Sequence, residues 1–139
     1  MERRELRIAS ETRNLSLVRQ ATAEVLGRSA FERADRDKII LAVDEAVANV
    51  VEHAYRGAPG EIEIDLALDE RRLIVTIRDN GPPFDPRGVP APDLREHVKQ
   101  GLKGGFGLVL MRKIMDEVRW SLGARCTNEL VLTKNVPRE

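Results

Sequence analysis

The sequence predicts an α+β fold, a two-layer sandwich in which helices cover one face of a mainly antiparallel sheet. Residues 61–68 alternate strictly between polar and apolar side chains, and residues 73–78 form a second apolar run after a short polar turn at 69–72. Such a pair is typical of an antiparallel hairpin with one buried face. Two earlier stretches, 11–27 and 37–55, carry apolar residues at helical spacing. Helices segregated from paired strands in this way favour a two-layer packing.

The remaining elements follow from the same two periodicities. Residues 6–8 alternate as a short first strand does, and Ser10 is predicted to cap the helix that comes next. A further helix is predicted over 108–116, and two last strands over 118–122 and 129–134. The predicted order is strand, helix, helix, strand, strand, long connection, helix, strand, strand.

The composition indicates one globular domain spanning residues 1–139. Hydrophobic residues make up 42% of the chain and charged residues 33%, which is typical of soluble proteins. The formal net charge is zero, which argues against direct contact with nucleic acid or an anionic membrane. Cys126 is the single cysteine and has no partner for an internal disulfide. The first residues lack the apolar region of a secretory signal, so a cytoplasmic location is expected.

The helix predicted over 37–55 carries an unusual polar stripe. Glu45, Asn49 and His53 follow one another at i, i+4 spacing, which places them on one side of a helix. A solvated helix face usually carries a surplus of Lys and Glu. This one instead aligns a carboxylate, a carboxamide and an imidazole, as the wall of a binding site would. The pattern is short, and an ordinary surface stripe is the alternative.

A second motif, Asp79-Asn80-Gly81, lies where a predicted strand ends. Asn-Gly is a common turn dipeptide, and a plain turn is one interpretation. The other is a carboxylate that accepts the exocyclic amine of adenine, with Gly81 allowing a flat ligand to approach the backbone.

A third motif, the glycine-rich stretch 103–108, opens a predicted helix. Helix N-termini bind phosphates through free backbone N–H groups. The stretch lacks the P-loop pattern, and a plain loop is the alternative. The connection before it, 86–103, is long for a compact domain, which is typical of a functional segment such as a lid.

Taken in order, the three motifs resemble the N, G1 and G2 boxes of the GHKL ATP-binding fold. They are Glu45-x-x-x-Asn49, Asp79-x-Gly81 and Gly105-x-Gly107. DNA gyrase, sensor histidine kinases and bacterial anti-sigma-factor kinases share that fold. The strings EAVANVVEHAY, DNGPPFDP and GGFGLVLMRKIMDEV resemble the last group most, and the resemblance covers nearly the whole chain.

The resemblance implies a set of nucleotide contacts. Asn49 is expected to bind Mg²⁺, Asp79 to accept the adenine amine, and Gly81 to lie beside the ring. His53 is expected near the nucleoside. Mg²⁺ keeps waters and takes ligands from phosphates, so one protein ligand is enough.

It also implies catalytic and phosphate-binding groups. Glu45 is the expected base for the attacking hydroxyl and Lys103 a positive charge near the γ-phosphate. Residues expected to contact the nucleotide phosphates are Gly104, Gly105, Phe106, Gly107 and Leu108. Members of the family usually have a Gly-Thr turn before the last strand, whereas this chain has Cys126-Thr127-Asn128-Glu129, so no contact is predicted from that turn.

The function implied is that of an anti-sigma factor with serine/threonine kinase activity. Such a protein uses Mg-ATP to phosphorylate an anti-anti-sigma antagonist, sequesters a sigma factor and forms a homodimer, with residues 86–103 as its ATP lid. One alternative is a switch kinase of the same fold acting on a different partner. Another is an ATP-gated binding module without useful kinase activity. A histidine-kinase core is disfavoured, because His53 and His97 are the only histidines and neither lies on a separate phosphoacceptor helix.

Overall fold

The structure is a computed structural model that describes residues 1–53, 60–82, 107–122 and 127–137. In chain order, the elements of these ranges are β1 (Glu2–Ala9), α1 (Leu15–Leu26), α2 (Arg33–His53), β2 (Glu61–Leu68), β3 (Arg72–Asp79), α3 (Gly107–Ile114), β4 (Glu117–Leu122) and β5 (Asn128–Asn135). A single 3-10 turn, Thr12–Asn14, precedes α1.

The five strands form one antiparallel sheet in the order β1-β2-β3-β5-β4. The predicted α+β architecture is therefore confirmed. Strand β3 lies at the centre, between β2 and β5. At its end the register places Asp79 opposite Ile62 on one side and opposite Asn128 on the other. The topology thus fixes which residues surround the end of the central strand.

The β2–β3 hairpin forms where the alternating pattern predicted it. Asp69 closes the turn, because its carboxylate accepts hydrogen bonds from the backbone N–H groups of Arg71 at 2.7 Å and Arg72 at 2.9 Å. These two bonds favour the charged carboxylate and hold the pKa of Asp69 below its usual range. An aspartate that bonds the backbone two residues ahead is a common way to end a tight turn.

One face of the sheet meets the helices and forms the core. Every second residue of β2 and β3 is buried, as the period of a strand requires. The largest fully buried side chains come from both layers: Val18, Leu26, Ile39, Val43, Val47, Ile62, Ile64, Leu66, Leu73, Ile77, Met111 and Leu132. Burying each such side chain contributes about 1.5–3 kcal/mol relative to leaving it exposed.

The opposite face of the sheet carries ion pairs. Arg7 lies 2.7 Å from Glu63, and Arg78 lies 2.9 Å from Glu129. Arg3 pairs with the Asp65 carboxylate at 2.7 Å. Exposed pairs of this kind each contribute less than about 1 kcal/mol, so the helix-facing core determines the stability of the sheet.

Two helix starts differ from the prediction. Ser10 does not cap α1, which begins at Leu15 after the 3-10 turn; instead the Ser10 N–H donates to the carbonyl of Gly60 at 2.9 Å. Helix α2 begins at Arg33 rather than at residue 37. The N–H of Arg36 already donates to the carbonyl of Glu32, and Asp35 gives the first turn a negative charge that suits the helix dipole. None of the helices in the described ranges has both the length and the apolar character needed to span a bilayer.

Candidate functional site

Asp79 is a carboxylate in a position that belongs to the core. Leu73, Val75 and Ile77 are the buried residues of β3, and Asp79 continues their alternation on the helix-facing side, with 5% of its surface exposed. A charged group removed from water in this way is unfavourable unless hydrogen bonds compensate for the lost hydration. The stability of the Asp79 carboxylate therefore depends on the groups that donate hydrogen bonds to it.

One oxygen of the Asp79 carboxylate receives two hydrogen bonds. The backbone N–H of Gly81 donates to Oδ1 at 2.9 Å, and the side-chain amide Nδ2 of Asn128 donates to the same atom at 3.0 Å. Within the described ranges, no side chain or backbone group donates to Oδ2. The carboxylate is thus fixed through Oδ1, while the described residues leave Oδ2 without a donor.

Asn128 is a site residue that the sequence analysis missed. It is 3% exposed and lies on the same face of β5 as Leu130 and Leu132, directly across from Asp79. No motif marks it, and the departure from the Gly-Thr pattern led the 126–129 turn to be left out. The strand alternation of β5 was the available signal, because it places residue 128 on the buried face.

The polar stripe of α2 is present, with the helix continuous from Arg33 to His53. Glu45 and Asn49 are partly buried, while Val43, Ala46 and Val47 on the other side are in the core. For His53, the last residue of the helix, only the backbone is described. Helix α2 packs against α3, which begins at Gly107, and contacts β3, which ends at Asp79. The packing thus brings together the three elements that carry the motifs.

The electrostatics of the stripe centre on two adjacent carboxylates. Burial raises the pKa of Glu45, and the negative charge of Asp44 raises it further. Burial also raises the pKa of Asp44, and the positive charge of Arg19 opposes that rise. Arg19 Nε lies 3.1 Å from Asp44 Oδ1, so the ion pair links α1 to α2. A carboxylate with a raised pKa is a better proton acceptor than an ordinary one, which suits a general base.

Several predicted site residues lie outside the described part of the chain. They are Lys103, Gly104, Gly105 and Phe106, together with the predicted lid at 86–103. Gly107 and Leu108 are the first two residues of α3, and only their helical backbone is described. Their roles in phosphate binding stay predictions.

Among the described side chains there is no group of three or more His, Cys, Asp or Glu that would form an all-protein metal site. The half-buried amide of Asn49 offers one neutral oxygen. Mg²⁺ is commonly bound through one or two protein oxygens, with phosphates and waters completing its octahedron.

Comparison with known proteins decides the family. Residues 8–134 match the model of the histidine kinase-like ATPase domain. The chain belongs to this ATPase family. The match includes the whole of α2 and β3 and all but the last residue of β5, and hence Glu45, Asn49, Asp79 and Asn128.

Two bacterial relatives resemble the chain along nearly its whole length. Serine-protein kinases RsbW from Bacillus thuringiensis strain Al Hakam and from Bacillus cereus strain 03BB102 are each 32% identical over 142 residues, a match that covers 99% of this chain and 88% of the relative. The expected resemblance to GHKL anti-sigma-factor kinases is therefore confirmed. A solved structure, the RsbU and RsbW domains of Rv1364c from Mycobacterium tuberculosis, matches the whole chain with a TM-score of 0.65. At 20% identity over 34% of that longer protein, it shows the shared fold.

The pKa of Glu45 is a direct test of the site electrostatics. Carboxyl NMR titration of the folded protein should place it above the usual range of glutamate, and Asp44→Asn should lower it by removing a like charge while burial keeps it partly raised. The folded protein binds this proton more tightly than the unfolded chain. The resulting stabilisation is therefore present below the unfolded pKa and lost as pH rises through the folded pKa.

Asp69, whose pKa is held low by the β2–β3 turn, provides a control that Asp44→Asn should leave unchanged. A Glu45 titration in the usual range, or one that is insensitive to Asp44→Asn, would contradict the burial and charge coupling described for α2.

Proposed function

We propose that this protein is an anti-sigma factor with ATP-dependent serine/threonine kinase activity. It binds Mg-ATP, phosphorylates a hydroxyl on an anti-anti-sigma antagonist, and sequesters a sigma factor. Membership in the ATPase family and relatives named serine-protein kinase support the proposal. The site geometry supports the nucleotide part of it independently.

The observation that carries the proposal is the half-satisfied carboxylate of Asp79. Because both described donors meet the same oxygen of this buried carboxylate, a ligand donor can be accommodated at Oδ2 without displacing either of them. Asp79 has two donors on Oδ1, and the described residues offer none to Oδ2. The exocyclic amine of adenine is a donor of the right type, and Gly81, itself buried, leaves no side chain between the ring and the backbone.

Glu45 and Asn49 have separate roles on the polar stripe of α2. The carboxamide of Asn49 holds the magnesium ion, which neutralises phosphate charge when bound. Glu45, one turn earlier, takes the proton from a serine or threonine hydroxyl. The hydroxyl oxygen then forms a bond to the γ-phosphorus of ATP, and the bond between that phosphorus and ADP breaks. Lys103 is proposed to stabilise the charge on the transferred group.

Asp79→Asn is expected to weaken ATP binding while leaving the fold intact. The new side chain keeps one oxygen for the Gly81 and Asn128 donors but replaces the second acceptor with an NH₂ group. Losing a buried polar contact costs about 1–3 kcal/mol, or roughly tenfold to a hundredfold in affinity. Calorimetric titration with Mg-ATP measures the change. Asp69→Asn, in the β2–β3 turn, is the matched control and should bind normally. Equal ATP affinity in Asp79→Asn and the wild type would refute the adenine assignment.

Glu45→Gln is expected to separate binding from phosphoryl transfer. The substitution preserves size and helix compatibility and removes a carboxylate that is already disfavoured by burial, so the variant should fold and bind Mg-ATP and the sigma factor. Transfer of labelled γ-phosphate to the antagonist should fall by about 10²–10⁴-fold. Glu70→Gln, on the exposed β2–β3 turn, controls for the chemical change. A binding module without kinase activity predicts no transfer in the wild type, and full transfer by Glu45→Gln would rule out Glu45 as the base.

Asn49→Ala is expected to act earlier, on Mg-ATP binding itself. Without the amide oxygen the ion loses its protein ligand, so ATP affinity should fall in the presence of Mg²⁺ and change little in EDTA. Gln20→Ala removes an amide from exposed α1 and should change neither value. A loss that is the same with and without Mg²⁺ would assign Asn49 a role other than metal binding.

We also propose that the protein forms a homodimer through β1, the strand at one edge of the sheet. Edge strands leave backbone hydrogen-bonding groups available for a second chain. Light scattering at working concentration should give twice the mass of one chain. Replacing Leu6, which is half-buried on β1, by lysine should reduce that mass. A wild-type mass equal to one chain would remove the dimer from the proposal.

A further inference from the structure

The side-chain amide of Asn128 faces three acceptors at once. Its Nδ2 atom lies 3.0 Å from Asp79 Oδ1, 3.1 Å from the carbonyl oxygen of Gly81 and 3.0 Å from the carbonyl oxygen of Pro82. A carboxylate and two carbonyls only accept hydrogen bonds, so the atom that faces them has to be the donor nitrogen. Because an NH₂ group has two hydrogens, one of them is shared between two of the three acceptors.

These bonds connect three parts of the chain. Asn128 is the first residue of β5, Asp79 the last residue of β3, and Gly81 and Pro82 belong to the turn that follows. A second hydrogen bond joins the same two segments, because Thr127 Oγ1 donates to Asn80 Oδ1 at 3.2 Å. The Thr127 link is exposed, whereas the Asn128 bonds to Asp79 and Gly81 are buried, so Asn128 is the stronger constraint on the turn.

The bond to Asp79 also restricts the carboxylate. The two donors to Oδ1 are Gly81 N–H, in the turn after β3, and Asn128 Nδ2, on β5. Because they come from two separate segments of the chain, they fix the rotation of the carboxylate plane. Without Asn128, one bond would remain, and it comes from a residue only two positions away. The position of Oδ2, the oxygen assigned to the ligand, would then no longer be determined by the sheet.

We infer that Asn128 is a positioning residue for base selection: it holds Asp79 so that Oδ2 meets a purine 6-amino group. The inference rests on the proposed ATP binding and deepens it, because it assigns to β5 a part in discriminating adenine from purines that lack this amine. The residue type follows from the surroundings. An aspartate at 128 would face three acceptors with no hydrogen to donate, and a hydroxyl would supply one hydrogen instead of two.

The test compares two nucleotides on two variants. Calorimetric titration in Mg²⁺ measures the affinities of ATP and of purine riboside triphosphate, which is identical except that it lacks the 6-amino group. Wild type should prefer ATP. Asn128→Ala should lose about tenfold in ATP affinity and less than about twofold for the amine-free nucleotide, so the preference collapses. Thr127→Ala, which removes the neighbouring link, should keep the wild-type preference.

Four results would overturn the inference. Equal loss for both nucleotides in Asn128→Ala would show that the residue only maintains the fold of the site. An unchanged preference would show that Asp79 is positioned without it. A wild-type protein that binds both nucleotides equally would remove the adenine role of Asp79 itself, and a wild-type protein that binds neither would contradict the proposed function as well.

Two further variants complete the experiment. Asn128→Ser keeps one donor hydrogen at the position and should give a preference between those of wild type and Asn128→Ala; it replaces the alanine variant if that chain does not fold. In the double variant Asp79→Asn with Asn128→Ala, the second substitution should add little to the loss of the first, because both act through the same oxygen. Additive losses would mean that the two residues act separately.

Discussion

A buried carboxylate at the end of the central strand is the constraint on which the site depends. The alternation of β3 directs Asp79 toward the core, and an aspartate there is stable only with donors close by. The chain supplies them from its immediate continuation, Gly81, and from the facing strand, Asn128. Because both donors meet Oδ1, the arrangement that stabilises the charge leaves Oδ2 available for the ligand amine that we propose.

Helix α2 connects this carboxylate to the proposed chemistry. Its apolar side forms the middle of the core through Val43 and Val47, and the same packing fixes the rotation of the helix about its axis. The rotation places Glu45 and Asn49 together on the other side. The partial burial that positions Glu45 also raises its pKa. The position of Glu45 and its raised pKa thus have one physical origin, which is burial of the α2 helix.

Periodicity was sufficient to predict most of the fold. The strict alternation at 61–68 and the helical spacing around Val43 and Val47 each identify one buried face, and the structure has both. The first turn of α2 was missed because three of the four residues 33–36 are charged and the stretch shows no apolar period, although such residues form a helix readily once the core anchors the turns that follow. Ser10 was assigned to a cap from its residue type, but its hydroxyl meets no backbone N–H among the described residues, and α1 begins five residues later at Leu15.

The site was predicted less completely than the fold. Asp79 and Gly81 could be singled out because they are close in sequence and form a recognisable string, and a hydrogen bond joins them in the structure; their nucleotide roles stay predictions. For Asn128 the alternation of β5 indicates only a buried position, because its contact with Asp79 depends on a strand pairing across 49 positions. The roles predicted for Lys103, Gly104, Gly105 and Phe106 fall outside the described residues and stay predictions.

The most direct test is a crystal structure of the protein with Mg²⁺ and a non-hydrolysable ATP analogue. The 6-amino nitrogen should lie about 2.7–3.2 Å from Asp79 Oδ2, with Gly81 N–H and Asn128 Nδ2 still bonded to Oδ1. The magnesium ion should lie about 2.0–2.1 Å from the amide oxygen of Asn49. An adenine ring bound away from Asp79 would contradict the site, and so would an amine that displaces Asn128 from Oδ1.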